Sequence, residues 1–118
     1  MATMTRVLKI AQASPTGGLA TPTRLYTSPA SGYAVTSKLR ICNRGAVTTF
    51  NVWIGNNIDT EQPTQAAYFN AFLGAAGASQ SVIESPGGDV MVNGGWVSVS
   101  SASGAVSFHL CVEETTIT

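Results

Sequence analysis

Charge is the scarcest property of this chain. Only 10% of its 118 residues are Asp, Glu, Lys or Arg, against roughly 25% in an ordinary soluble domain. There is one histidine, His109, and there are two cysteines, Cys42 and Cys111. Each shortage excludes something. Six basic residues cannot make a dense basic patch with interleaved aromatics, so nucleic acid is not an expected partner. Two cysteines are too few for a secreted disulfide framework. They could bond only if their strands are neighbours, with Cα atoms within about 7 Å; the other state, two small buried thiols, is the one expected. No run of about 18 apolar residues occurs, so no membrane-spanning helix is expected. Ala11-Gln12-Ala13 mimics a cleavage site, but the apolar run before it is short and broken by Lys9, so an export signal is not expected.

Catalytic constellations are missing as well. His109 falls inside a strand pattern beside core residues, and no G-x-S-x-G elbow supplies a nucleophile. His109 and Cys111 share a strand face, yet the paired C-x-x-C or H-x-x-x-H spacing of a zinc site is absent. Asp59 and Glu61 do not build a D-x-D-x-D-G calcium loop. Gly17-Gly18, Gly87-Gly88 and Gly94-Gly95 stand in no phosphate-loop context and read as turns. Neither an enzyme nor a metal or cofactor is expected.

What the chain does have is serine, threonine, 12 glycines and a period of two. In Tyr33–Ile41, Tyr33, Val35, Leu39 and Ile41 share one parity, with Ser37 the exception, while Lys38 and Arg40 frame the other. That is a half-buried antiparallel strand. Asn43-Arg44-Gly45 reads as a three-residue hairpin turn with Gly45 left-handed, returning along Val47–Ile54. A second hairpin is predicted from Trp96–Ser100 through Ser101–Gly104 to Ala105–Glu113, with Val106, Phe108, Leu110 and Val112 inward and His109 outward. Arg24–Ser28, Ala66–Phe72, Ser79–Glu84 and Asp89–Val92 complete about eight short strands at the roughly 8–12-residue spacing of a sandwich or barrel. The polar stretch containing Asp59, Glu61 and Pro63 is a loop, and Asn93-Gly94-Gly95 a turn. No segment sustains a helical period. The expected fold is all-β, an antiparallel β-sandwich over 24–118, jelly-roll-like, preceded by an extended N-terminal arm over 1–23.

Within the arm, Val7, Leu8 and Ile10 form a short apolar segment flanked by Arg6 and Lys9, followed by a flexible stretch containing Pro15, Gly17, Gly18 and Pro22. Such a segment either reaches to a neighbour or forms a first edge strand of the same domain. All six basic residues lie in the first 44 positions and all six acids after position 58. Pairing between the two halves of the fold explains this split; docking of the basic half, with Lys38, Arg40 and Arg44, on an acidic partner explains it too. Trp53, Trp96, Tyr26 and Tyr68 are candidate sugar-stacking aromatics if exposed. Trp53 sits on the parity opposite Phe50, Val52 and Ile54, so one of these faces points away from the core; if that is the Trp53 face, it is an interface or a ligand platform, and otherwise the sandwich buries its tryptophan.

The chain resembles a widespread family of small tailed-phage virion structural proteins. The likeness starts near Val7-Leu8 and runs through Leu25-Tyr26-Thr27-Ser28-Pro29-Ala30. Its most specific element is Ala34-Val35-x-Ser37-x-Leu39-x-Ile41-Cys42-Asn43-Arg44-Gly45, followed by Thr48-Thr49-Phe50 and, near the end, Ala105-Val106-Ser107-Phe108. The chain departs from the family pattern at Gly74-Ala75-Ala76-Gly77. The resemblance implies a non-enzymatic part of a phage particle, assembled in the host cytoplasm. Proteins of this size and fold in such particles look most like homotrimeric head decoration or cement proteins, with the major capsid protein or other virion proteins as partners and Arg6–Ile10 as the docking segment. The alternative is a tail or baseplate appendage, with a glycan-binding face using Trp53 or Trp96.

Overall fold

The computed structural model describes residues 3–56, 59–62, 66–92 and 94–117; Pro63 and Asn93 lie outside them. Nine strands and no helix are found among the described residues: β1 Met4–Ala13, β2 Thr23–Thr27, β3 Gly32–Asn43, β4 Thr48–Gly55, β5 Ala66–Leu73, β6 Val82–Ser85, β7 Val90–Val92, β8 Trp96–Ser101 and β9 Val106–Ile117. They form two antiparallel sheets. Sheet A runs β1-β9-β3-β6, with β7 also paired to β3, and sheet B runs β2-β8-β4-β5. Taking β6 and β7 as one position, this order fits a jelly roll of two four-stranded sheets. The expected all-β sandwich is what the structure shows.

The core lies between the sheets. Ala34, Leu39, Ile41, Val106, Phe108, Leu110 and Val112 come from sheet A, and Phe50, Val52, Leu73, Val97 and Val99 from sheet B. The Phe50 ring meets Phe108 edge-on with centroids 6.1 Å apart and Tyr68 at 5.4 Å. Alternation along β9 places Phe108 inward and His109 outward, as its pattern predicts.

Both predicted hairpins are corners instead. β3 belongs to sheet A and β4 to sheet B, so Asn43–Val47 carries the chain across the sandwich; Ala102–Ala105 does the same between β8 and β9. The two corners touch. Gly45 is not left-handed: a Cβ there would lie 2.9 Å from Ala105 Cβ, so Gly45 is needed for close approach rather than for turn geometry. Asn43, buried at 2% exposure, holds the corner. Its Nδ2 donates to Ala46 O at 2.7 Å and Gly74 O at 2.9 Å, and its Oδ1 accepts from Gly45 N at 2.9 Å. A buried amide with its groups satisfied this way specifies one corner geometry.

Ser37 also explains itself. A bulge between Thr36 and Lys38 in the β3–β9 register flips the pleat, as an extra residue must. Ala34 and Thr36 are therefore buried while Tyr33 and Val35 face outward, and Leu39 and Ile41 beyond the bulge are buried. The single parity assigned to Tyr33, Val35, Leu39 and Ile41 holds only for the last two.

Of the two readings of residues 1–23, the edge strand is what the structure shows for Met4–Ala13. β1 pairs with β9 from Met4↔Ile117 to Ala13↔Phe108, and Ala11 and Ala13 pack on the core. Residues 14–22 then cross the outer face of sheet B, where Leu19 O accepts from Ser100 Oγ at 2.9 Å and from Asn51 Nδ2 at 3.5 Å. This segment therefore belongs to the sandwich in the single chain.

Candidate functional site

The outer face of sheet A gathers most of the residues singled out in the sequence. Even-numbered side chains of β1 point away from the core, and Leu8 and Ile10 are 76% and 71% exposed. Beside them on β9 stand His109 and Cys111, and beyond these on β3 Lys38 and Arg40, across registers Ile10↔Cys111↔Lys38 and Gln12↔His109↔Arg40. Together these six residues line a shallow groove of about 380 Å³. It has an apolar lip at Ile10, a basic wall at Lys38 and Arg40, and a half-buried thiol and imidazole on its floor. Lys38 and Arg40 are not bare cations. Glu84 on β6 lies 3.5 Å from Lys38 Nζ, and Arg40 Nε donates to Glu84 Oε1 at 3.0 Å. The Arg40 hydrogen bond, reinforced by the Lys38 charge, holds the Glu84 carboxyl below its ordinary range.

The other described ion pairs obey the same rule. Arg6 binds Glu113 at 3.2 Å, Lys9 binds Glu114 at 3.3 Å and Arg24 binds Glu61 at 3.4 Å. Each joins a cation of the first half to an acid of the second. Pairing inside one molecule thus engages five of the six basic residues, and exposed pairs of this kind contribute about 0–1 kcal/mol each. Arg44 stands apart from the groove, its guanidinium 3.4 Å from Ser14 Oγ.

The aromatic candidates are not platforms. Trp96 is 1% exposed, with the Arg24 guanidinium 4.5 Å from its ring centroid and Gly55 close against its six-membered ring. Trp53 is 4% exposed on the outer face of sheet B, beside Leu19, Ala20, Pro22 and Glu61, and its indole nitrogen has no acceptor among the described residues. Tyr26 is 9% exposed and its hydroxyl donates to Glu114 Oε2; burial, that bond and the Glu114 charge push its pKa well up. Tyr68 packs on Phe50. For Trp53 the cover is the segment over 14–22 and the Glu61 loop, which lie on a face that alternation alone would leave open. The two cysteines lie on one outer face but four residues apart along the β3–β9 ladder, since Cys42 faces Ser107 and Cys111 faces Lys38. At about 3.3 Å per residue this is roughly 13 Å, beyond bonding reach. Both thiols are free and half-buried, not in the core.

Glu61 ties the loop to sheet B. Ser98 Oγ donates to its Oε1 at 2.8 Å, and Arg24 Nε donates to Ser98 Oγ at 3.0 Å. Burial alone would push this carboxyl up, but the bonds from Ser98, its own backbone amide and Arg24 hold it below its ordinary value. A lowered folded-state pKa stabilises at pH above the unfolded value of about 4.3 and is lost as pH falls through the folded one. Glu61→Gln should therefore cost about 1 kcal/mol at pH 7, and the gap between variant and parent should close in acid. Equal melting temperatures at pH 7 would contradict this.

No family model and no curated protein matches this chain. Solved structures do. A chain from the capsid of Helicobacter pylori bacteriophage KHP30, described as acid-stable, matches over 100% of this chain and 98% of its own, with TM-score 0.54 and 16% identity. A chain from Bacillus endospore appendages, described as a novel family of disulfide-linked pili, matches over 98% of this chain and 89% of its own, with TM-score 0.56 and 8% identity. At such identities the likeness is one of fold.

Proposed function

We propose that this chain is a non-enzymatic structural protein of a bacteriophage particle, seated on the head shell as a decoration or cement protein. The observation that carries the reading is the end-to-end likeness to a chain of a phage capsid, with little left over on either side. The Cys42-Asn43-Arg44-Gly45 segment, which resembles tailed-phage virion proteins, adds residue-level support: Asn43 and Gly45 are the two residues that lock the first corner.

In this reading the outer face of sheet A meets the shell. Ile10 offers apolar surface, and Lys38, Arg40, His109 and Gln12 offer hydrogen-bond donors around it. Each contact is weak, and three copies acting as one trimer raise the residence time through effective concentration. Truncation within β1 would strip β9 of its neighbour and take Ala11 and Ala13 off the core, so the contact is tested with the intact chain. Purified protein is mixed with heads prepared without it and sedimented with them. Saturable binding at many sites per head is expected; protein left entirely in the supernatant would contradict the proposal.

A further inference from the structure

Edges of sheets are templates for strand addition, and proteins blunt them with bulges, short strands, proline or charge. Most edges of this sandwich are blunted. β2 has five residues and a register shift between Arg24 and Tyr26. β5 is bulged twice against β4 and carries Asn70 at φ 52°. On the far side of sheet A, β6 and β7 have four and three residues and are separated by Pro86-Gly87-Gly88, with both glycines at positive φ. β1 differs. It has ten residues, no proline or glycine, and an unbroken one-to-one register with β9. Its side chains include Met4, Val7, Leu8 and Ile10, at 61%, 43%, 76% and 71% exposure. Its two cations are already neutralised by Glu113 and Glu114 of its own sheet, so no net charge guards it.

We infer that β1 pairs antiparallel with β1 of a second copy, continuing sheet A across a two-fold axis at Leu8. The occupant follows from the strand. One open edge per molecule closes after two copies, whereas a head-to-tail chain would need a second open edge on sheet A. Two-fold antiparallel pairing sets residues of one face opposite each other, so the axis must pass through a residue position. A centre at Arg6 or Lys9 puts like charges face to face, which is unfavourable. A centre at Leu8 pairs Met4 through Gln12, the longest overlap that avoids this. It sets Leu8 on Leu8, Arg6 on Ile10 and Val7 on Lys9, and covers the most exposed apolar side chain of the strand with its own copy. This contact does not rest on the virion reading, and it joins molecules in pairs whatever other symmetry they have.

The register makes the test specific. In a background of Cys42→Ser and Cys111→Ser, Leu8→Cys places two Cα atoms about 4.5–5.5 Å apart across the axis, within disulfide range. Lys9→Cys has no such self-pair. With oxidised glutathione as oxidant, Leu8→Cys should become mostly disulfide dimer on a non-reducing gel while Lys9→Cys stays monomeric, and sedimentation of the parent should show species of even copy number. Leu8→Cys that stays monomeric, or that links no faster than Lys9→Cys, overturns the inference. So does a bond from Leu8→Cys to another particle protein in place of itself.

Discussion

Gly32→Ala should melt at least roughly 10 °C below the parent protein, a loss of about 3 kcal/mol or more. Gly32 opens β3 opposite Thr116 at one end of the central β3–β9 pair. A Cβ there would lie 2.0 Å from the Thr115 carbonyl oxygen and 3.0 Å from Thr115 C and Thr116 Cα. These are backbone atoms, so no rotamer change relieves the clash; β3 or β9 must move. Ile117 N also donates to Ser31 O at 2.8 Å just beside it, and that bond would be strained by the same movement. β9 carries Val106, Phe108, Leu110 and Val112 into the core, and a domain whose total stability is about 5–15 kcal/mol cannot absorb much displacement of such a strand. Gly104→Ala is the control: its nearest atom is Thr16 Cγ2 at 3.4 Å, an ordinary contact, and its melting temperature should not change. A Gly32→Ala protein within about 2 °C of the parent would show that the two strands do not approach as described.

Ile10→Asp combined with Lys38→Glu should lower binding to heads at least about tenfold while lowering the melt only slightly, since the Lys38–Glu84 pair it reverses is exposed. Ile10 is 71% exposed, so its replacement removes nothing from the core. Covering an isoleucine on docking is worth about 1.5–3 kcal/mol, and about 1.4 kcal/mol is a factor of ten. The two new carboxylates sit on one groove, so a partner that uses its donors or its apolar lip is rejected twice over. The variant also separates the shell contact from the homotypic one. In the Leu8-centred register Ile10 faces Arg6, so an aspartate there gains a partner, and Leu8→Cys cross-linking should persist when head binding fails. Unchanged occupancy would place the shell contact elsewhere on the molecule.

Strand positions and the inward face of β9 were legible because alternation is a local property. Phe108 in and His109 out follow from a period of two, whatever the neighbours are. Partner choice is not local. The runs around Asn43-Arg44-Gly45 and Ser101–Gly104 look like hairpins because two alternating segments flank a short polar turn. Nothing in that pattern tells a return along the same sheet from a crossing to the other one. The close approach of Gly45 to Ala105 is the physical mark of the crossing, and it exists only once both corners are in place. The bulge was legible in part: Ser37 breaks the parity of β3, and an exception of this kind in a strand is a signal of an inserted residue. For the candidate site, Ile10, Lys38 and Arg40 each stood out, but their meeting depends on β9 lying between β1 and β3. Gln12 and Cys111 enter the groove through that same order, and the outward parity of His109 pointed to Cys111. Burial of Trp53 is one of the two readings its pattern allows, and alternation alone does not choose between them, because it puts Trp53 on an outer face that only the tertiary path of residues 14–22 covers.

The measurement that bears most directly on the structural role is the number of copies of this protein per purified phage particle, by quantitative mass spectrometry against the major capsid protein. A decoration protein predicts a count on the order of hundreds, in fixed proportion to the shell subunit. A handful of copies would move the protein to a tail or baseplate, and its absence from intact particles would contradict the account altogether.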